Sequence, residues 1–325
     1  MRRVVVGLAA FAILCGVHIG SGAHAQDADY PTRPIRVVVP YPAGGLVDLI
    51  TRVVTERLGA SLGQPFVIES RAGANGTIAT ATVAHADPDG YTLLMITDSH
   101  GVNPLFYKSL NYDSVKDFAP IGLIGKSPMV LTVHVSVPAR TVKELIDLAR
   151  ADPGTLTYGS IGVGSASHLA GELFKVRAGV DMVHVPYRGG APAVNDLIAG
   201  HLKTMFLTPV SGLPHIRAGR LAPLAIAAPQ RFELMPDVPT MAEAGVPIEA
   251  AYWVGMAAPA ATPPAVIAKL EKALAAAVAA PETQKRLTEM GVVVTPLGAK
   301  AFGDYIRADL KSWADFVAQA RVKLE

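Results

Sequence analysis

Apolar positions along this chain switch between two spacings. Ile35-Arg36-Val37-Val38-Val39 is a short, nearly continuous apolar run that ends at Pro40, the pattern of a buried strand. Leu46 to Leu58 then carries apolar residues at helical spacing, so the opening unit is strand, turn, helix. Phe66 to Glu69 predicts a second strand, Asn75 to Ala86 an alanine-rich helix, Asp87-Pro88-Asp89-Gly90 a turn, and Tyr91 to Thr97 a third strand. Helical segments between β-rich runs predict an open α/β sheet.

The second half repeats the style. Met129 to Val135 predicts a strand, and Thr141-Val142-Lys143-Glu144 is a capping box that opens a helix to Ala151. Four further strands are expected at Leu156 to Ser160, Val183 to Tyr187, Thr204 to Leu207 and Leu224 to Ala227. Helical stretches at Ser167 to Arg177, Ala191 to Ala199 and Leu213 to Ala218 separate them. Ala251 to Ala258 returns to a β pattern, after which Thr262 is expected to cap a helix with Pro263 at its first position. Helices then run to Ala280, from Glu282 to Met290, and from Ala299 to about Lys323, with Leu270, Leu274 and Val278 forming a core face.

Ile121 to Gly125 and Ala251 to Ala258 flank the two groups of units and read as paired crossovers. The expected architecture is therefore α/β with two lobes and a cleft between them. Lobe 1 is discontinuous, residues 26–124 plus 252–325, and lobe 2 is residues 125–251. Tyr252 and Trp253, on the returning crossover, either pack the hinge or flank a ligand. Ligands in such sheets bind beyond the carboxyl ends of strands, where strand gives way to helix.

The first residues change the compartment and the charge. Arg2 and Arg3 precede the apolar run Val4 to Val17, and Ala23-His24-Ala25 supplies a small-x-small site, so residues 1–25 read as a secretory signal cleaved after Ala25. Two of the 29 Lys and Arg residues leave with it, so 27 remain against 27 Asp and Glu. Nothing in that balance favours nucleic acid or an anionic membrane. Cys15, the only cysteine, leaves too, which excludes disulfides, thiolate metal sites and a cysteine nucleophile from the mature chain. The expectation is a soluble, exported, monomeric product without a cofactor.

Candidate chemistry lies in three glycine-containing loops. In Pro40-Tyr41-Pro42-Ala43-Gly44-Gly45 two glycines present amides at a helix start, where unpaired N–H groups and the helix dipole attract an anion, and Asp48 in the first turn complements that dipole. Tyr158-Gly159-Ser160-Ile161-Gly162-Val163-Gly164-Ser165-Ala166-Ser167-His168 offers many short donors at a second helix start. Its glycine order matches neither a dinucleotide fingerprint nor a P-loop, and Tyr158 stands where a nucleophile elbow needs glycine. Val185-Pro186-Tyr187-Arg188-Gly189-Gly190 adds Arg188 as a bidentate carboxylate partner or a plain surface residue. His168 and His184 fit no metal motif, and Ser165 and His168, three apart at a helix start, have poor geometry for a nucleophile and its base.

Taken in order, several segments resemble one family. They are Tyr30-Pro31-Thr32-Arg33-Pro34-Ile35, the Pro40 to Gly45 loop, Arg71-Ala72-Gly73-Ala74-Asn75-Gly76, Ala86-Asp87-Pro88-Asp89-Gly90-Tyr91-Thr92-Leu93-Leu94, the Tyr158 to His168 loop, His184 to Ala193 and Pro236-Asp237-Val238-Pro239-Thr240. Together they are similar to the substrate-binding proteins of tripartite tricarboxylate transporters, the Bug or TctC family, through essentially the whole mature chain. The resemblance implies a periplasmic binding-protein fold of type II-like character, whose lobes close on a small carboxylate. It implies no enzymatic activity, a two-component membrane permease as partner, and a sensor-kinase ectodomain as the alternative partner; a hydrolase is the distant alternative. Carried onto this chain, the carboxylate would be held by Tyr41, Ala43, Gly44 and Gly45 with Ser160, Gly164, Ser165 and His168. Thr97, Ser99, Tyr187, Arg188 and Thr208 are expected on the variable side. Members often continue the Gly-Gly with a further Gly and a Thr before the Asp, whereas Leu46 and Val47 stand here, which suggests a ligand more apolar than citrate.

Overall fold

A computed structural model describes residues 29–320. The expected signal segment and its cleavage site lie outside the described residues. In chain order the first group of elements is β1 (Ile35–Val39), α1 (Leu46–Leu62), β2 (Phe66–Ser70), α2 (Thr77–Ala84), β3 (Thr92–Thr97), α3 (Asp98–Phe106) and β4 (Phe118–Pro128). The second is β5 (Val130–His134), α4 (Val142–Ala151), β6 (Thr157–Ser160), α5 (Ala166–Ala178), β7 (Val183–Pro186), α6 (Gly190–Ala199), β8 (Thr204–Leu207), α7 (Pro209–Arg217) and β9 (Leu221–Ile226). The chain returns through β10 (Ala251–Pro259) and ends with α8 (Pro264–Ala279), α9 (Pro281–Glu289), β11 (Val293–Gly298) and α10 (Ala299–Ala320).

The strands form two sheets, ordered β11-β4-β10-β3-β1-β2 and β7-β6-β8-β5-β9. This is a two-lobed α/β fold. β1 pairs in parallel with β2 and β3, as crossover helices demand, while β10 enters antiparallel between β3 and β4. β4 and β10 remain paired from Phe118↔Pro259 to Ser127↔Tyr252 and Pro128↔Ala251, so the chain leaves and re-enters the first sheet along adjacent strands. Just beyond that pair the Met129 N–H donates to Ala250 O, the Ala227 N–H to Met129 O, and the Ala250 N–H to Ala227 O. Both crossings are thereby tied to the end of β9.

Each sheet carries its own core. Val38, Leu94, Ile96, Trp253, Ala257 and Phe302 pack the first; Leu197, Leu202, Met205 and Leu207 pack one face of the second. Trp253 is 1% exposed and lies edge-on to Phe302, inside the core of the first sheet. A third apolar group joins the lobes: Val102 and Phe106 of α3 meet Leu169 of α5, with Val163 and the α10 residues Trp313, Phe316 and Val317 against them.

Four local expectations need correction. Pro263, not Thr262, is the N-cap of α8, which begins at Pro264, and the buried Thr262 hydroxyl has no partner. The helix expected from Asn75 begins at Thr77, because Ala74 and Asn75 have left-handed backbones at φ 45° and 49°. α3 is additional; Gly101 and Pro104 within it obscure its helical pattern. β11 is additional too, an edge strand with an irregular register whose Pro296 costs nothing on an unpaired side.

Candidate functional site

Three loops of the first sheet end near one another. Tyr41, after β1, donates its hydroxyl to Ser99 Oγ at 2.9 Å and lies 3.4 Å from Asn75 Oδ1. Thr97 Oγ1 and Ser99 Oγ are 2.9 Å apart, and the Tyr252 ring stands 6.3 Å from that of Tyr41. Asn75 Nδ2 donates to Asn103 Oδ1, and Asn103 Nδ2 donates back to Asn75 O, which locks the left-handed turn after β2 onto α3. Burial, with the nearby Asp98 charge, pushes the Tyr41 phenol up to about 12, so it stays a protonated donor. Burial, followed by the adjacent Tyr41 and then Asp98, raises Tyr252 well above its ordinary value.

The β1–α1 loop spends part of its donor set internally. Gly44 N–H donates to Asp48 Oδ2 at 2.9 Å, Gly45 N–H to Pro42 O at 3.4 Å, and Arg52 grips both Asp48 oxygens. Burial of Asp48 opposes its ionisation, but the Arg52 and Gly44 bonds prevail and hold the carboxyl below its usual range. The Gly44 amide is therefore occupied, while Ala43 and the first-turn amides of Leu46 and Val47 have no intrahelical acceptor. Ala43, Gly44 and Gly45 are exposed, Leu46 is half-buried and Val47 buried.

In the second lobe the β6–α5 loop is wound around its own hydroxyls. Ser160 Oγ lies 2.7 Å from His184 Nε2 and donates to Gly162 O; Ile161 N–H reaches Ser167 Oγ; Gly164 N–H donates to His168 Nδ1 at 3.1 Å. Ser165 is the N-cap of α5, its hydroxyl accepting from the His168 backbone and donating to Gly162 O. The Ser165 hydroxyl thus serves the helix and not the His168 ring. Nδ1 accepts, so the neutral His168 ring carries its proton on Nε2. Its plane stacks on His184 at 4.2 Å, and Tyr158 stacks on the far side of His184 at 4.9 Å. Burial drives His168 down to about 4, and burial with the adjacent His168 takes His184 down to about 3; both are neutral at pH 7.

The lobes meet at these loops. A Cβ placed on Gly164 would lie 3.4 Å from Asn75 Nδ2 and 3.2 Å from the Phe106 ring, and Phe106 lies edge-on to His168 at 5.7 Å. Asp98, 3% exposed at the start of α3, faces the Ala166 N–H at the start of α5, and neither of its oxygens closes a full hydrogen bond. Of the expected residues, Tyr41, Thr97 and Ser99 form one hydroxyl network and Ser160, Gly164, Ser165 and His168 one loop. Tyr187 donates to Asp196, Thr208 pairs with Ser211, and Arg188 is exposed; none is hydrogen-bonded to the Tyr41 network. Asn75, Asp98, Asn103 and Phe106 were missed. Asn75 sits in a Gly-Ala-Asn-Gly run whose turn character was legible; the other three lie on the unexpected α3.

A family model described as the tripartite tricarboxylate transporter family receptor matches residues 50–321. The chain belongs to this family. The periplasmic binding protein BugD is 34% identical with a TM-score of 0.83, covering 90% of this chain and 99% of that one. The R. palustris protein Rpa4515, solved with adipate, is 35% identical with a TM-score of 0.85 over 90% of this chain and 98% of its own. MatC (Rpa3494) from Rhodopseudomonas palustris, with bound malate, is 32% identical with a TM-score of 0.81 over 89% and 100%. As a member of the tripartite tricarboxylate transporter receptors, the chain is a solute-binding protein and not an enzyme. The half-buried Ser160–His184 pair is accordingly a structural bond of the receptor loop. Among the described residues no helix is long and apolar enough to cross a membrane, and no group of three or more His, Cys, Asp or Glu is placed to hold a metal.

Proposed function

We propose that this protein is an exported receptor that captures a small carboxylate between its lobes and delivers it to a membrane permease of the tripartite type. The observation that carries the reading is the meeting of Gly164 with Asn75 and Phe106, which brings the N-terminus of α5 over the hydroxyl network of Tyr41, Thr97 and Ser99. Helix N-termini and neutral hydroxyl donors suit an anion. The relatives that hold adipate and malate support the carboxylate class.

Lobe 1 is taken as residues 26–124 plus 252–325 and lobe 2 as 125–251, with the secretory signal removed after Ala25. Each lobe supplies part of the donor set, so a closed form binds more strongly than an open one and ligand shifts the population towards closure. Ala43 with the free first-turn amides of α1, Tyr41 and Ser99 would contact the ligand from lobe 1, and the start of α5 from lobe 2. Tyr187, Arg188 and Thr208 would read its far end. The apolar pair Leu46 and Val47 favours a ligand less polar than citrate.

Thermal shift of residues 26–325 against carboxylates, phosphates, amino acids and sugars tests the reading. A ligand at about 1,000 times its dissociation constant stabilises by roughly 4 kcal/mol. A response confined to carboxylates, larger for adipate or benzoate than for citrate, is expected. A response only to sugars or phosphates would overturn the carboxylate reading, and a preference for citrate would overturn the apolar one.

A further inference from the structure

Tyr252 lies on β10, the strand by which the chain re-enters the first sheet. β10 runs antiparallel between β3 and β4, with Val254 opposite Thr97 and Tyr252 opposite Ser127. β3 ends at Thr97, so Tyr252 stands beyond the last β3 pair, beside the turn into α3 that carries Ser99. The residue is 5% exposed, and its ring is tilted by 57° to that of Tyr41. A crossover strand thus brings a phenol to the hydroxyls of Tyr41, Thr97 and Ser99.

The direction of the bonds orders this group. Tyr41 has one hydroxyl proton and donates it to Ser99 Oγ at 2.9 Å. Its hydroxyl also hydrogen-bonds with that of Tyr252, and with the Tyr41 proton already placed, Tyr252 is the donor of that bond. Thr97 Oγ1, 2.9 Å from Ser99 Oγ, interacts with both phenols. A line of donors therefore runs from the crossover to the cleft loops, Tyr252 to Tyr41 to Ser99, and bonds in such a line polarise and orient one another. Tyr252, Thr97 and Ser99 are buried, whereas Tyr41 is half-buried on the loop before α1. The three buried hydroxyls act on a ligand through the one that reaches the surface.

We propose that Tyr252 is a positioning residue for ligand capture: its hydroxyl fixes the place and the donor direction of the Tyr41 hydroxyl, so that a strand of the crossover sets the donor geometry of the β1–α1 loop. The proposal rests on the interlobe reading given above, in which Tyr41 contacts the ligand; Tyr252 itself does not. Because β10 is one of the two crossings between the sheets, lobe movement and the Tyr41 donor share one strand.

Tyr252→Phe keeps the ring and removes the hydroxyl. The first measurement uses ligand-free residues 26–325 with tyrosine labelled with ¹³C at Cζ, where the resonance missing from Tyr41→Phe assigns Tyr41. That resonance is expected to move in Tyr252→Phe; an unmoved signal would overturn the proposal. The second is a double-mutant cycle read by calorimetric titration with adipate. Tyr252→Phe is expected to weaken binding about fivefold in the parent, as loss of one hydrogen bond implies, and to change nothing once Tyr41 is phenylalanine. Unchanged affinity in the parent background would leave Tyr252 a packing residue, and a fivefold loss that persists beside Tyr41→Phe would make it a direct ligand contact; either overturns the proposal. A parent that binds no carboxylate defeats the proposed function instead, and the Tyr41 resonance then still decides whether Tyr252 sets that hydroxyl.

Discussion

The carboxylate of Asp98 faces the backbone N–H of Ala166 from the opposite lobe. Asp98 opens α3 and Ala166 opens α5, so an acid of one sheet stands at a helix N-terminus of the other. Burial, with repulsion from Asp309, raises the Asp98 carboxyl well above its ordinary range despite the favourable amides. Tyr41, Tyr252 and Tyr305 also feel its charge. An acid solvated in an open cleft and dehydrated in a closed one gains a proton on closing.

Affinity for a ligand captured by closure, adipate for instance, is therefore expected to rise as pH falls through the range in which Asp98 titrates. Asp98→Asn, which keeps an oxygen for the Ala166 amide, is expected to flatten that profile and to bind about tenfold more tightly at pH 8. Calorimetric titration across the range decides it; a parent affinity that climbs with pH would sink the idea.

Asp309 predicts a different pH effect, on stability. Burial pushes it up to about 6 although Trp253 Nε1 donates to it at 3.1 Å and Lys126 is near. Between the ordinary carboxyl value near ~4 and about 6 the folded chain holds a proton that the unfolded chain has lost. Stability from this group thus falls as pH rises through that interval and is level above it. Asp309→Asn is expected to remove the slope and to gain on the order of 1 kcal/mol at pH 7, read from urea midpoints at pH 4.5 and 7.

Gly164 and Gly44 both have positive φ, 77° and 81°, but only Gly164 has neighbours within reach of a Cβ. Alanine at either site costs about 1 kcal/mol of backbone strain. Gly164→Ala is further expected to press on Phe106 and Asn75 across the lobes and to weaken carboxylate binding about tenfold more than Gly44→Ala does. Equal affinities for the two variants would show that the Gly164 contact has no part in capture.

Thr141 and Glu144 close a complete capping box at the start of α4. Thr141→Ala is expected to lower stability by about 1 kcal/mol with ligand affinity unchanged, since α4 is remote from the loops that meet between the lobes. Parallel melting and binding measurements separate the two effects.

Much of the architecture was legible because it rests on local rules. Val37-Val38-Val39, the Thr141 box and the Gly-rich helix starts each declare themselves within a few residues. α3 did not, since His100, Gly101 and Pro104 are weak helix formers held in place by Asn103 and Phe106 packing on other segments. β11 did not either, because Thr295-Pro296-Leu297-Gly298 reads as a loop until β4 pairs with it.

The sequence by itself determined the export signal as an expectation, the alternation of strands and helices, the two groups of units, and the loops rich in glycine and hydroxyls, because spacing, caps and turn residues act over short range. Only the tertiary structure decided which donors are free. Asp48 takes the Gly44 amide, His168 takes the Gly164 amide, and Asp98 stands at the start of α5, and each of these follows from how loops approach one another in space. Hydrogen-bond satisfaction and burial are properties of that approach, so residue type alone could nominate the loops but could not say which of their atoms are available to a ligand.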